Sequence, residues 1–392
     1  MFRSRSVKHA RLLIRHAEKL IRYRCDVLSE IAFADIRGQI EVVERAIKQR
    51  DLPGVRENSE RLDALVAEHS PSHREAGWRE NCEVILVAIV VAVGVRSYFI
   101  QPFKIPTGSM QPTLNGIQGF PYRYQSENEI PVDKKDRYEK RKDGWYFKSY
   151  SPNSSPNLLR QVAEFFILGR NYINVVAPED ESVREIVEQK YLFFFTWSRI
   201  ITDRGTHRVY APEATLAHDF QVAPGARYQR GQVIARGAID TGDQVFVDKF
   251  SYNFMKPHRG DVFVFRTKHI PMIPEDPQTG APYFIKRLVG LPGDTLRISP
   301  PLLYVNGEPP RRFGFQRVMQ AKPPYRGYTL GRQYLANPNQ SFTVPPHSYF
   351  AMGDNSYFSY DSRYWGPVPE ENLVGRGLWV YWPFNQHWRL IR

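Results

Sequence analysis

VILVAIVVAVGV, from Val84 to Val95, and QPFKIPTGSMQPTL, from Gln101 to Leu114, form the stretch on which the architecture turns. The first part is twelve residues without a charge, followed by Arg96, Ser97 and the apolar run Tyr98-Phe99-Ile100. A helix from Val84 to Ile100 would rise about 25 Å, slightly short of the ~30 Å hydrocarbon core of a bilayer. Trp78 at one end and Tyr98 and Phe99 at the other are the amphipathic aromatics of membrane interfaces, and Arg96 can snorkel to headgroups. On hydropathy alone two readings stand, a membrane span and a buried core helix, because twelve clean residues fall below the usual threshold. A cleavable signal peptide is not expected so far from Met1.

Composition bounds the rest. The 392 residues are 42% hydrophobic and 24% charged, which excludes a disordered chain and a multi-span membrane protein. Basic residues number 54 against 41 acidic, a formal +13 that favours anionic partners such as phospholipid surfaces or nucleic acid. The two cysteines, Cys25 and Cys82, exclude a disulfide scaffold and any zinc site needing several thiolates. Before the apolar run, Leu12, Leu13, Leu20, Ile21, Val27, Leu28 and Ile31 recur at helical spacing, as do Ile40, Val43, Ala46 and Ile47. Asp51-Leu-Pro-Gly breaks the pattern and Asn58–Glu68 resumes it, which predicts a helical hairpin or coiled-coil-like module.

After Ile100 the chain turns proline-rich and β-like. Short runs at Val245–Val247, Val262–Phe265, Phe284–Val289, Leu303–Val305 and Leu378–Trp382 read as strands, with Asn306-Gly307 a strong hairpin signal. Between Asn115 and about Asp240 the texture is harder to read, with apolar patches at Phe165–Leu168 and Tyr191–Trp197 too short to span a bilayer.

Several chemistries start low. There is no Gly-x-Ser-x-Gly elbow, no His-Glu-x-x-His pair and no Gly-rich phosphate loop, and neither cysteine sits in a nucleophile motif. Four turn-rich blocks remain. In the first, Ser109 follows a glycine between Pro106 and Pro112, in a turn held by the prolines; an isolated Gly-Ser is more commonly a plain linker. The second runs Gly242-Asp-Gln-Val-Phe-Val-Asp-Lys-Phe-Ser-Tyr252 and on to Arg259–Phe265. The third is Tyr283-Phe-Ile-Lys-Arg-Leu-Val-Gly-Leu-Pro-Gly-Asp294. Strand alternation there puts Lys286 on a face with Phe284 and Leu288, where an ammonium is destabilised; a lone lysine so placed is usually a snorkelling edge residue. The fourth is Met352-Gly-Asp-Asn-Ser-Tyr-Phe-Ser-Tyr-Asp-Ser-Arg-Tyr-Trp-Gly366, in which Asp361 and Arg363 can pair.

Together and in this order the blocks resemble the type I signal peptidases, membrane-bound Ser-Lys endopeptidases that remove signal peptides. The resemblance covers roughly Trp78–Leu114 and Gly242–Trp382. It implies that Ser109 is the nucleophile and Lys286 the general base, with the Ser109 N–H and the Thr107 hydroxyl as oxyanion donors. Serine is usual at the Thr107 position. Ser359 matches the residue that orients the lysine, Asp361 and Arg363 a structural pair beneath the site, and Gly353 and Asn355 its supporting turn. Phe103, Ile105, Met110, Phe284 and Ile285 match shallow apolar pockets for small residues at the −1 and −3 positions of a signal peptide. No metal or cofactor is implied. The chain departs from the family at Tyr357 and Phe358, where polar residues are more usual, and in about 125 residues between Leu114 and Gly242 where a short hop is normal.

The resulting expectation is a mainly β catalytic domain of signal-peptidase type with one transmembrane helix and a helical cytoplasmic extension. Its parts are 1–77 (extension), 78–100 (membrane helix), 101–119 with 239–392 (catalytic) and 120–238 (inserted subdomain). The expected setting is the bacterial inner membrane, N-terminus cytoplasmic and catalytic domain on the outer, periplasmic face. Exported preproteins and the phospholipid membrane are the expected partners, nucleic acid is not, and the Sec or Tat export machinery would lie nearby. Residues 84–392 carry 38 basic and 27 acidic side chains, and with Trp379, Trp382 and Trp388 they suggest a domain resting on an anionic bilayer; the same tryptophans read equally well as core. Two rival functions are a non-catalytic membrane scaffold and a self-cleaving Ser-Lys regulator on the same fold. Retention of both Ser109 and Lys286 argues against the first, and the apolar run against a soluble form of the second.

Overall fold

The computed structural model describes residues 5–70, 73–150, 156–191, 195–275 and 280–392, and the chain divides into two compact units, Met1–Ala92 and Val93–Arg392. The first is helical, with α1 (Arg5–Tyr23), α2 (Glu30–Gln49) and α3 (Leu52–His69). Ser29 caps α2 by accepting the Ala32 N–H at 3.2 Å. Asp51 caps α3 by accepting the Gly54 N–H at 3.1 Å, with Pro53 in the first turn where its missing donor costs nothing. Leu13, Ala17, Ile36, Val43, Leu62 and Val66 share one core, so the expected hairpin has a third helix packed into it. Leu12, Val27 and Ile31 are exposed: Val27 lies in the α1–α2 turn, and a helical period does not carry across a break.

α4 (His73–Tyr98) carries the apolar run. Its window Glu80–Tyr98 has a mean hydropathy of 1.7 and none of it is buried against protein. That is long and apolar enough to cross a bilayer, and a soluble core helix would be covered instead.

The second unit is built on a seven-stranded sheet. Its strands are β1 (Ile100–Lys104), β2 (Gln244–Asp248), β3 (Val262–Arg266), β4 (Tyr283–Gly290), β5 (Ser348–Met352), β6 (Val368–Pro369) and β7 (Leu373–Trp382). They lie in the order β1-β2-β7-β3-β4-β5-β6, every neighbouring pair antiparallel. Alternation on β3 serves both faces: Val262 and Val264 pack with Val245, Val247 and Val380, while Phe263 and Phe265 pack with Leu288, Ala351 and Trp365. The Asn306-Gly307 turn takes positive φ at both residues, 55° and 89°, and returns Val305 to Glu308 as a tight hairpin.

The long segment between the first two catalytic blocks leaves the sheet and rejoins it at one point. Asp243 N–H donates to Asn115 O at 2.8 Å, and the Asp243 carboxylate accepts the Asn115 N–H at 2.7 Å. Gly242 makes the closure possible: its φ is 78°, and a Cβ there would lie 2.5 Å from Ile105 O. Between these ends Gln118–Pro121 and Arg170–Val176 flank Val233–Asp240 in one small sheet, and Glu181–Tyr191 and Phe195–Thr202 pair in another. The Phe165–Leu168 patch belongs to α5 (Leu158–Leu168), whose Phe165 meets the Trp382 ring at 5.4 Å between centroids. The middle of the Tyr191–Trp197 patch, 192–194, lies outside the described residues. Of the C-terminal tryptophans, Trp379 and Trp382 are half-buried, and Trp388 is exposed with its ring against Trp379.

Candidate active site

β1 continues from the end of α4 and is pinned to β2, and the chain then bends through Pro106 into a single 3-10 turn, Gly108–Met110. This turn places Ser109. It is clamped from the far side of the sequence: Asn355 N–H donates to Ser109 O at 3.0 Å and Asn355 Nδ2 to Gly108 O at 3.2 Å. Gly353 is required at the clamp, since a Cβ there would fall 2.5 Å from Ser109 O and 2.2 Å from Ser359 Oγ. The Ser109 amide sits in the first turn of its 3-10 segment, where N–H groups have no intrahelical acceptor.

Lys286 arrives from β4. Pairing of β4 with β3 sets Lys286 opposite Phe263, and alternation puts it on the face of Phe284 and Leu288. Its Nζ donates to Ser109 Oγ at 2.9 Å and to Ile285 O at 3.2 Å, and lies 5.4 Å from the Phe284 ring centre. Ser109 and Lys286 are both buried. Burial, first of all, pulls the Lys286 amine down from 10.5 to about 8; Asp361 and Asp354 push the other way, and Arg363 adds to the lowering. An amine so placed is neutral in an appreciable fraction of molecules near neutrality and can take the hydroxyl proton of Ser109. The Thr107 hydroxyl stands beside it, donating to Ser109 Oγ at 3.3 Å.

Two buried ion pairs hold this arrangement. Asp361 accepts from Arg363 Nε and Nη2, both at 2.8 Å, and from the Gly353 N–H at 3.0 Å, which ties the clamp turn to the pair. Arg363 also donates from Nη1 to Thr329 O at 2.7 Å. Asp354 accepts from Arg287 Nε and Nη2 at 2.7 and 2.6 Å and from the Thr113 hydroxyl. Sequence reasoning overlooked this second pair. Its signal was the adjacent Lys286 and Arg287 in an apolar strand: alternation sends two neighbouring cations to opposite faces, so each needs its own accommodation.

A groove of about 340 Å³ opens beside the dyad, lined by Phe103, Ile105, Thr107, Ser109 and residues 282–286. Phe103 and Tyr283 meet edge to face across it at 5.4 Å. Two expectations need correction. Met110 is fully buried, packed with Ile105, Leu114 and Val245, so it belongs to the core beneath the groove, not to its wall. Ser359 is buried next to Gly353, but among the described residues its hydroxyl has no hydrogen-bond partner, and the Lys286 amine donates instead to Ser109 and Ile285. Phe358 and Tyr360 at the rim were not predicted as groove residues; the aromatic pair Tyr357-Phe358 in a usually polar loop was the available sign.

Comparison with known proteins places part of this chain in a family. A family model described as signal peptidase, peptidase S26, matches residues 229–382, which include Lys286 and the Gly353–Arg363 block and leave out Ser109. Signal peptidase I V of Bacillus subtilis (strain 168) is 33% identical over 135 residues, 34% of this chain and 72% of that protein. This chain belongs to the type I signal peptidases. Signal peptidase I of Leptolyngbya laminosa is 33% identical over 148 residues, 38% of this chain, and the match spans 64% of that relative's length. A crystal structure of a signal peptidase I from Enterococcus faecalis V583 is 28% identical and covers 31% of this chain and 97% of its own; the TM-score of 0.24 is too low to bear on the fold. The family model begins at residue 229, so the three-helix unit, the apolar helix and the Ser109 turn lie outside its match.

Proposed function

We propose that this chain is a membrane-anchored serine endopeptidase that cleaves signal peptides from exported preproteins with a Ser109–Lys286 dyad. The 2.9 Å contact between the Lys286 amine and Ser109 Oγ, in a dry site that lowers the amine to about 8, carries the reading. In the neutral-amine form Ser109 Oγ attacks the scissile carbonyl carbon while its proton passes to Lys286 Nζ. The carbonyl oxygen becomes an oxyanion, for which the Ser109 N–H and the Thr107 hydroxyl are the nearby donors. Collapse breaks the C–N bond, and the proton on Lys286 goes to the leaving amine. Water then enters, gives a proton to Lys286, and its hydroxide adds to the acyl carbon; expulsion of Ser109 Oγ, which takes that proton back, releases the new carboxyl terminus.

The groove suits an extended peptide. β4 is paired to β3 along residues 283–287 but to β5 only from Arg287 onward, so residues 283–286 keep one edge unpaired beside the groove. A substrate strand can add there, with side chains directed at Phe103, Ile105, Phe284 and Ile285. The exposed apolar face of α4 serves as the anchor, with the three-helix unit in the cytoplasm and the dyad at the outer face of a bacterial inner membrane. The Sec or Tat machinery would then deliver substrates to it. A non-catalytic scaffold has no use for a buried lysine aimed at a serine. Incubating detergent-solubilised parent, Ser109→Ala and Lys286→Ala chains with a preprotein tests the proposal: cleavage by the parent alone is expected, and a Ser109→Ala chain that still cleaves would end it.

A further inference from the structure

A second cavity, of about 330 Å³, lies away from the groove and has among its lining residues Thr113, Phe313, Arg317, Arg389, Leu390 and Arg392. Its charges are unbalanced. Asp354 is the acid nearest to Arg317, but its two oxygens are already taken by Arg287 at 2.7 and 2.6 Å, leaving Arg317 Nη2 at 3.8 Å. Arg317 instead donates to the Thr113 hydroxyl and stacks over Phe313 at 5.4 Å, while its Nε is buried without a partner. Burial chiefly, with Arg287 and Arg389 as further cations, outweighs the support of Asp354 and works against its charge, yet a guanidinium stays protonated at any usable pH. Arg392 contributes its main-chain oxygen to Arg287 at 3.4 Å. Three arginines, Arg317, Arg389 and Arg392, line the cavity, and no aspartate or glutamate is among its lining residues.

A partly enclosed surplus of planar, multi-donor cations is the arrangement that recognises phosphate. We infer that this cavity binds a phosphate group, with Arg317 and Arg389 as its principal donors. The group can belong to inorganic phosphate, to a soluble ester or to an anionic lipid. The exposed side chains of Phe313 and Leu390, 62% and 60% accessible, fit an ester with an apolar body. The site sits one residue along β4 from the proposed base, through Arg287, but its occupancy can be read without any peptidase assay.

The test uses the full chain in dodecyl maltoside micelles and equilibrium binding of labelled inorganic phosphate. Saturable uptake of one phosphate per chain is expected, weakened at least tenfold in Arg317→Gln and in Arg389→Gln. Arg389→Lys should retain part of it, and Arg311→Gln, which changes an exposed arginine outside the cavity, should bind like the parent. Because Arg389 is exposed, its variant keeps the test valid if Arg317→Gln fails to fold. Adding phosphatidylglycerol to the micelles separates the sources: displacement of the phosphate identifies a lipid headgroup as occupant, and undiminished uptake identifies the free ion or a soluble ester. Absence of saturable uptake by the parent, or equal uptake by Arg389→Gln, overturns the inference.

Discussion

If Lys286 works as a neutral base, the pH dependence of cleavage should follow its proton. With the amine lowered from 10.5 to about 8, about one molecule in ten carries the reactive form at pH 7, against about one in three thousand for a lysine at the unshifted value. Burial therefore raises the reactive fraction about 300-fold, and the rate must respond to pH in the same range. The logarithm of kcat/KM for a quenched signal-peptide substrate should climb with unit slope from pH 5.5, bend near 8 and level off above it. Lys286→Arg fits the same strand but keeps its charge, so it should lose about 10²- to 10⁴-fold, the usual contribution of a general base. A profile that is flat from pH 6 to 8, a bend near 10, or an arginine variant within tenfold of the parent would refute the assignment.

The same burial has a stability counterpart. Because the folded amine lies below its unfolded value, the parent is penalised while Lys286 is protonated and recovers as pH rises from about 8 to about 10.5. Lys286→Met should therefore be more stable than the parent by about 3 kcal/mol at pH 7, with the gain shrinking toward pH 10.5 in denaturant titrations; a gain that grows with pH would contradict the sign. Arg363→Leu leaves Asp361 buried without its 2.8 Å partner and should lower stability by about 3–5 kcal/mol in the same titrations. Thr107→Val removes a proposed oxyanion donor while keeping its shape, so kcat should fall about 10²- to 10³-fold with KM little changed. Ser359→Ala deletes a buried hydroxyl without a hydrogen-bond partner among the described residues, so stability in denaturant titrations and kcat should both be unchanged; a fall in kcat at constant KM would contradict this and give the hydroxyl a part in positioning the amine.

Each half of the proposed dyad lies in a local pattern, but neither pattern alone marked it for chemistry; the order of the four blocks and their resemblance to a family singled the two residues out. A serine between two prolines after an apolar helix is held by its own turn, and a lysine in Phe284–Val289 is committed by strand alternation to an apolar face. The apolar run, the catalytic strands and the Asn306-Gly307 hairpin were legible because each depends on neighbours within a few residues. The helical unit was read less well, since the turn around Val27 breaks the period that a single helix would have kept.

Everything that depended on distant partners was settled by the packing. Ser109 and Lys286 are 177 positions apart, and only the β3–β4 pairing and the Gly353–Asn355 clamp bring them to 2.9 Å. Met110 follows Ser109 directly, yet the 3-10 turn sends it into the core and not into the groove. Arg287 found Asp354 on the opposite face from Lys286, and Ser359 came close to the site without a bond to it. The sequence by itself determined which residues are candidates for the chemistry and which segments are helix or strand, because side-chain type and short-range period act locally. Which of those residues touch, and which cation is held off from its nearest acid, only the tertiary structure decided, because hydrogen bonds and ion pairs are fixed by register and packing between segments that lie far apart in the chain.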